Sequence, residues 1–258
     1  METENSPEAT PPPQSEQLAI NFPLLPLIEP SLWKKLLHAE GMIEQPSLPA
    51  ASKDEAQTNI KKITAQLKQR HPFSQEKNSI TLGGIRYDKS TRQIFIPASV
   101  QYPRAGDDRH PGELELILCS TTGRTHETLF VTKTRPLHLE VLLHLVGYQK
   151  SSPPSTFRVS VSITNHAPIP IEKLISASHG DTLPEQLTWE FSGSDFGDLY
   201  PPDLTGDFLI CWHAHDSVMR VQHEKIASGE FKLGIIKHQL LEKNTPVTLV
   251  LSQVHRAP

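Results

Sequence analysis

From Ile80 onward the chain is a succession of short runs rich in β-branched and aromatic residues, cut by turn residues. "SITLGGIRYD", "RQIFIPASV", "ELELILCS", "THETLFVT", "FRVSVSIT", "LTWEFSG", "DFLICWHAH" and "TPVTLVLS" each carry at least partial alternation, the pattern of half-buried strands. Helical candidates between them are few: Pro136 to Val146, and a shorter stretch from Ile171 to Ser176. Strands that outnumber helices without regular alternation exclude a doubly wound sheet. The expected class is α+β: a strand-rich, mostly antiparallel sheet with a few packed helices.

Ahead of this region the texture differs. Residues 1–30 are rich in Pro, Ser, Thr and Glu and are expected to form a disordered leader, because such a composition buries too little apolar surface to offset chain entropy. Residues 31–78 read as a helical extension. "SLWKKLLHAEGMI" offers Ser31 as a cap, Leu32, Leu36 and Leu37 at helical spacing, and Gly41 as a stop. "KDEAQTNIKKITAQLKQRH" places Ile60, Ile63 and Leu67 on one stripe before Pro72. The strand-rich domain then spans 79–258.

Charge and composition narrow the function classes. With 36% hydrophobic residues and a formal net charge of −4, the chain has the core of an ordinary globular protein and no basic stripe for nucleic acid. The most apolar early stretch, "LAINFPLLPLIEP", is interrupted by Pro23 and Pro26 and is not a transmembrane helix. "TENSPEATPPPQSEQ" suits the polar spacer behind a removed export signal; a cytoplasmic tail would look the same, and the exported reading is preferred. Two cysteines, Cys119 and Cys211, support no disulfide scaffold or iron–sulfur cluster, although one bridge between them stays open.

The stretch from Gly123 to Gly147, "GRTHETLFVTKTRPLHLEVLLHLVG", is the densest in signals. A two-residue turn at Thr122-Gly123 pairs the flanking runs as a hairpin and sets Leu114, Leu116 and Leu118 opposite Val131, Leu129 and Glu127. The other face then has Cys119 beside His126, an arrangement that would lower a thiol pKa, while a small buried hydrophobe is the equal alternative for Cys119. His126 and Glu127 point to opposite sides, so they form no dyad unless a bulge re-aims one of them, and Glu127 at the rim takes Arg124 or a backbone N–H near the turn as its partner. The following helix is apolar on nearly every side, with Glu140 and His144 as its polar stripe, and is expected to cover the leucine face.

Gly-Arg-x-His-Glu-x-Leu-Phe-x-Thr, followed by Pro and a Leu-rich helix, resembles the YdjY-type domain family of largely uncharacterised bacterial proteins. "GGIRYDKSTRQIFIPASV" upstream, and "WEFSGSDF" and "YPPDLTGDFLI" downstream, are similar to further elements of that family, over about residues 80 to 252. The resemblance marks Gly123, Arg124, His126, Glu127, Gly193, Ser194, Tyr200, Asp203 and Gly206 as motif positions. It implies no catalytic role for them, and it implies an exported or envelope-associated protein.

Three chemistries remain to be weighed. His213 and His215 in "CWHAHD" share one strand face and could present two imidazoles to a divalent metal such as zinc, with His126, Asp216 or His223 as the third ligand. Asp195, Asp198, Asp203 and Asp207 crowd one loop with the oxygen ligands calcium uses, yet without EF-hand spacing, so ordinary turn chemistry explains them better. Ser194 lacks the Gly-x-Ser-x-Gly spacing of a nucleophile elbow, since Ser192 stands two positions earlier. The expected function is a non-enzymatic binding or interaction module of the periplasm or cell envelope, with no cofactor and an unspecified protein or small-molecule ligand. The alternative is a metal-dependent enzyme or metal-binding protein using His213, His215 and His126.

Overall fold

The computed structural model describes residues 13–102, 114–150, 153–164, 166–177, 182–196, 199–212, 216–236 and 242–254. The chain divides into two compact units at Arg70/His71.

The first unit holds four helices: α1 (Gln14–Asn21), α2 (Leu25–Ile28), α3 (Pro30–Glu44) and α4 (Ala50–Arg70). Residues 14–28 were expected to be disordered and are largely helical, while residues 1–12 lie outside the described part. The reason is where the prolines fall. Pro26 and Pro30 occupy first-turn positions, where the missing N–H costs nothing, while Leu18, Phe22, Leu25 and Ile28 follow helical spacing and are buried. Ser31 is not the cap of α3, because Pro30 already begins it, and Gly41 lies inside the helix. On α4 the expected stripe of Ile60, Ile63 and Leu67 is buried. Arg70 Nη1 holds Glu29 at 3.0 Å.

The second unit begins with β1 (Phe73–Gln75), β2 (Ser79–Leu82), β3 (Ile85–Asp88) and β4 (Gln93–Val100), each antiparallel to the next. Gly83 and Gly84 both adopt positive φ, 58° and 88°, the backbone that lets a tight hairpin turn match strand twist. Next come β5 (Leu116–Ser120), β6 (Thr128–Thr132) and α5 (Pro136–Leu145). After β7 (Thr156–Ser162), β8 (Ile169–Pro170), a 3-10 turn (Ile171–Lys173) and β9 (Ile175–Ala177), the chain forms β10 (Trp189–Phe191), α6 (Pro201–Thr205), β11 (Asp207–Ile210) and β12 (Met219–Val221). It ends with α7 (Glu224–Ala227), β13 (Leu233–Ile235), which pairs with β9, and β14 (Pro246–Gln253).

Eight of these strands close a ring in the order β4-β14-β7-β10-β12-β11-β5-β6 and back to β4. The α+β class holds, but the sheet is a closed mixed barrel and not a plain antiparallel sheet. Closure removes the unpaired edges an open sheet would expose. β4 achieves it by changing neighbour: Gln93 to Phe95 pair with β3, Ser99 and Val100 pair with β6, and Pro97, which has no N–H to give, sits between.

The predicted hairpin at Thr122-Gly123 does not exist. β5 and β6 run parallel, with Leu116 opposite Thr128 and Leu118 opposite Phe130, and residues 121–127 carry the chain back along the strand. β11 and β12 are likewise parallel, and β5 and β11 lie antiparallel between the two pairs with register shifts. Those shifts split the leucine row. Leu114, Ile117 and Leu118 join the main core, whereas Leu116 packs with Cys119, Val131 and Ile210 in a separate cluster. The helix is buried as expected, but it lies against β2, β3, β11 and α6 rather than forming the lid of a β5–β6 ribbon.

Candidate functional site

The motif positions gather into three polar clusters around α5, α6 and the start of β11. The first centres on Arg124, in the β5–β6 connection. Its Nη1 donates to Glu115 Oε2 at 2.8 Å and to Glu127 Oε2 at 3.4 Å, and its Nη2 donates to Asp207 Oδ2 at 3.0 Å. The Arg124–Glu127 pairing is the one expected. The divergence of His126 and Glu127 is corrected: His126 Nε2 lies 3.2 Å from Glu127 Oε1. With no antiparallel register to alternate them, adjacent side chains in the turn converge. Three carboxylates thus share one guanidinium. Burial raises the Glu115 carboxyl above its ordinary value and the Glu127 charge raises it further, against Arg124. Burial also raises Asp207, which is 3% exposed and whose Oδ1 has no hydrogen-bond partner among the described residues.

The second cluster caps α5. Asp203, on α6, accepts from Arg135 Nε at 2.8 Å and from Arg135 Nη2 through Oδ2, and from the Leu137 backbone N–H at 3.0 Å through Oδ1. A carboxylate at that end answers the orphan donor and the positive end of the helix dipole.

The third surrounds Glu140, which is fully buried. It accepts from the Tyr200 hydroxyl, from the Ser194 backbone N–H at 2.8 Å and from Lys150 Nζ at 3.5 Å. His144 Nε2, 3.5 Å from Glu140 Oε1, makes a polar contact rather than a hydrogen bond. Burial drives the Tyr200 hydroxyl far above its usual range and the neighbouring Glu140 charge adds to it. Gly193 explains itself here: φ is +60°, and a Cβ would lie 2.7 Å from Lys150 Cδ and 2.8 Å from Glu140 Oε1. Ser194 contributes its backbone N–H to this cluster.

The candidate ligand sets fare differently. His213 and His215 lie outside the described residues. Of the proposed third ligands, His126 contacts Glu127, Asp216 is exposed, and His223 accepts from the Ile226 N–H at 3.4 Å as the cap of α7. Among the described residues no three His, Cys, Asp or Glu side chains form a metal-holding group. The four-aspartate reading also disperses: Asp203 and Asp207 serve different arginines, Asp195 stands 3.8 Å from Lys150, and Asp198 lies outside the described residues. Cys119 and Cys211 are free and buried. Cys119 pairs across β6 with Val131 and not His126, and burial pushes its thiol up to about 12.

Clefts open on the barrel among the described residues. One, of about 210 Å³, is polar and runs past Ser120, Thr122, Lys133, Thr134, Arg135 and Asp203. Another, of about 220 Å³, has a floor of Leu114, Cys211, Ile226 and Leu233, each buried. Trp212, 38% exposed, and Phe231 wall it, and Glu115 and Lys232 stand beside them. Trp212 carries Arg124 over its ring at 5.3 Å, which links this cleft to the first cluster.

Sequence reasoning missed Glu140 as a hub, Asp207 as a partner of Arg124, and Glu115, Arg135 and Lys150 altogether. The available signal was a lone charge inside an apolar run, as in "PLHLEVLLHL" and "GDFLI", which requires a buried partner. No protein-family profile, no characterised protein and no solved structure matches the chain.

Proposed function

We propose that this chain is a non-catalytic binding module acting in the periplasm or cell envelope, and that its ligand enters the cleft walled by Trp212 and Phe231. One observation carries the reading. The polar side chains of the motif positions are engaged with one another, whereas the cleft joins a buried apolar floor to an exposed aromatic wall. The polar groups fix the frame; this cleft is an apolar surface they leave open. The location rests on the resemblance to the YdjY-type family, many of whose members are exported or envelope-associated, and cell fractionation tests it.

The binding test uses 1-anilinonaphthalene-8-sulfonate with the native chain well below its melting temperature. A saturable gain in dye emission is expected, weakened about tenfold by Trp212→Ala with Phe231→Ala while circular dichroism stays native. Absence of dye uptake would overturn the reading. Near-stoichiometric zinc or another divalent metal in untagged protein would instead favour the metal-dependent alternative through His213 and His215.

A further inference from the structure

The cleft walled by Trp212 and Phe231 has an apolar floor, yet a carboxyl group stands on its lining. Glu115 lies immediately ahead of β5 and keeps 38% of its side chain exposed. Its carboxylate is therefore held partly by water and partly by Arg124 Nη1 at 2.8 Å. An apolar ligand that fills the cleft covers this lining and takes water away from it. Removing water from a carboxylate disfavours its charged form.

The surrounding charges push the same way. Arg124 is shared, since its Nη1 also reaches Glu127 at 3.4 Å and its Nη2 holds Asp207 at 3.0 Å, so one guanidinium serves three carboxylates. Burial and the Glu127 charge already raise the Glu115 carboxyl above its ordinary value, against the pull of Arg124. Among the described residues the other titratable neighbours stand further out or are neutral. His126 Nε2 lies 3.2 Å from Glu127 Oε1, the Asp216 charge acts on Asp207, and Cys211 on the cleft floor has its thiol raised by burial. Lys232 also lines the cleft, is itself partnered, and is not among the charges that act on Glu115. A protonated Glu115 still accepts from Arg124 and gains an O–H that Glu127 accepts, so one proton exchanges a repulsion for a hydrogen bond.

We infer that filling this cleft with an uncharged apolar ligand draws a proton onto Glu115, shared with Glu127, so that the site holds such ligands more tightly in mild acid than at neutral pH. This rests on the binding-module reading above and adds its regulation. The sign follows from linkage: a complex that binds more protons than the free protein gains affinity as pH falls and loses it as pH rises. Ligand is taken up in mild acid and released toward neutral pH.

The test titrates N-phenyl-1-naphthylamine, a dye that stays uncharged, into the full chain from about pH 5 to about 7.5, with circular dichroism confirming the native fold at each step. The dissociation constant is expected to fall at least about threefold toward the acid end. Calorimetry near pH 6 in two buffers of different ionisation enthalpy should report net proton uptake on binding. Glu115→Gln carries no charge to neutralise, so it should bind the dye with the wild-type acid-limit affinity throughout the range and take up no proton. His126→Asn should keep the pH dependence. Should Glu115→Gln fail to fold, proton uptake retained in His126→Asn supports the inference and uptake lost there overturns it. Dye binding that is independent of pH, or a pH dependence that survives Glu115→Gln, would overturn the linkage and leave the binding module standing. No uptake of this dye or of the anilinonaphthalene sulfonate at any pH would bring down the binding reading itself.

Discussion

A Cβ placed on Gly206 would lie 2.7 Å from the Cα of Gly123, so the turn before β11 and the crossing segment after β5 touch backbone to backbone. These two motif glycines, 83 residues apart in sequence, are a contact pair. The approach lets the β5–β6 connection return along its own strand in so few residues, where parallel neighbours ordinarily need a longer crossover.

Replacing either glycine by alanine should therefore destabilise the fold. Gly206→Ala meets Ser120 Oγ at 2.4 Å and must also hold φ at +80°, whereas Gly123→Ala meets the Thr205 carbonyl at 2.8 Å without positive φ. The expected loss is about 1–3 kcal/mol for Gly123→Ala and more for Gly206→Ala. Urea denaturation measures both; a wild-type midpoint for Gly206→Ala would contradict the contact.

Glu140 should behave as a paired buried charge. Glu140→Ala removes the acceptor of Tyr200, Ser194 and Lys150 and should cost about 3–5 kcal/mol, while Tyr200→Phe should cost about 1–3. A double-mutant cycle between Glu140→Gln and Tyr200→Phe should return a coupling above about 0.5 kcal/mol. Strict additivity would show that the hydroxyl and carboxylate do not interact in solution.

Stability should respond to acid in two opposite senses. Glu115 and Asp207 have folded-state values raised by burial, so the native state binds more protons than the unfolded state just above the ordinary carboxylate range. Stability contributed by these groups rises as pH falls through that window. Asp88 is held well below the ordinary range, chiefly by the Ser90 hydroxyl and the Thr91 N–H. Its contribution is present above the unfolded value near pH 4 and is lost as pH falls further. Denaturation midpoints across pH 3–7 should show Glu115→Gln flattening the upper limb and Asp88→Asn the lower. Unchanged limbs in both variants would refute the assignment.

The thiols should be silent. Cys119 and Cys211 are 0% and 3% exposed, and burial raises both above their usual values. Ellman's reagent should react with neither in native protein and with both in denaturant, and reductant should not move the melting temperature. Rapid native labelling, or a reductant-sensitive melt, would contradict this.

The helix at Pro136–Leu145, the strands near 80–100, 156–162 and 246–253, and the buried stripe Ile60, Ile63 and Leu67 were legible because each depends on local spacing alone. The expected Arg124–Glu127 pair was legible for the same reason: the partners are three residues apart. The first helices were misread because proline counts were taken without their positions. The hairpin was misread because Thr122-Gly123 is a turn signal whichever way the chain goes next.

By itself, then, the sequence determined the strongly periodic strands and helices and the local pairing of Arg124 with Glu127, since periodicity and the cost of burying polarity act within a few residues. Only the tertiary structure decided that β5 and β6 run parallel, that Gly123 meets Gly206, that Glu140 finds Tyr200, and that Glu115 and Trp212 meet at one cleft. Strand direction and ring closure are set by pairings between residues far apart in the chain, and no local pattern encodes which of two possible neighbours a strand will take.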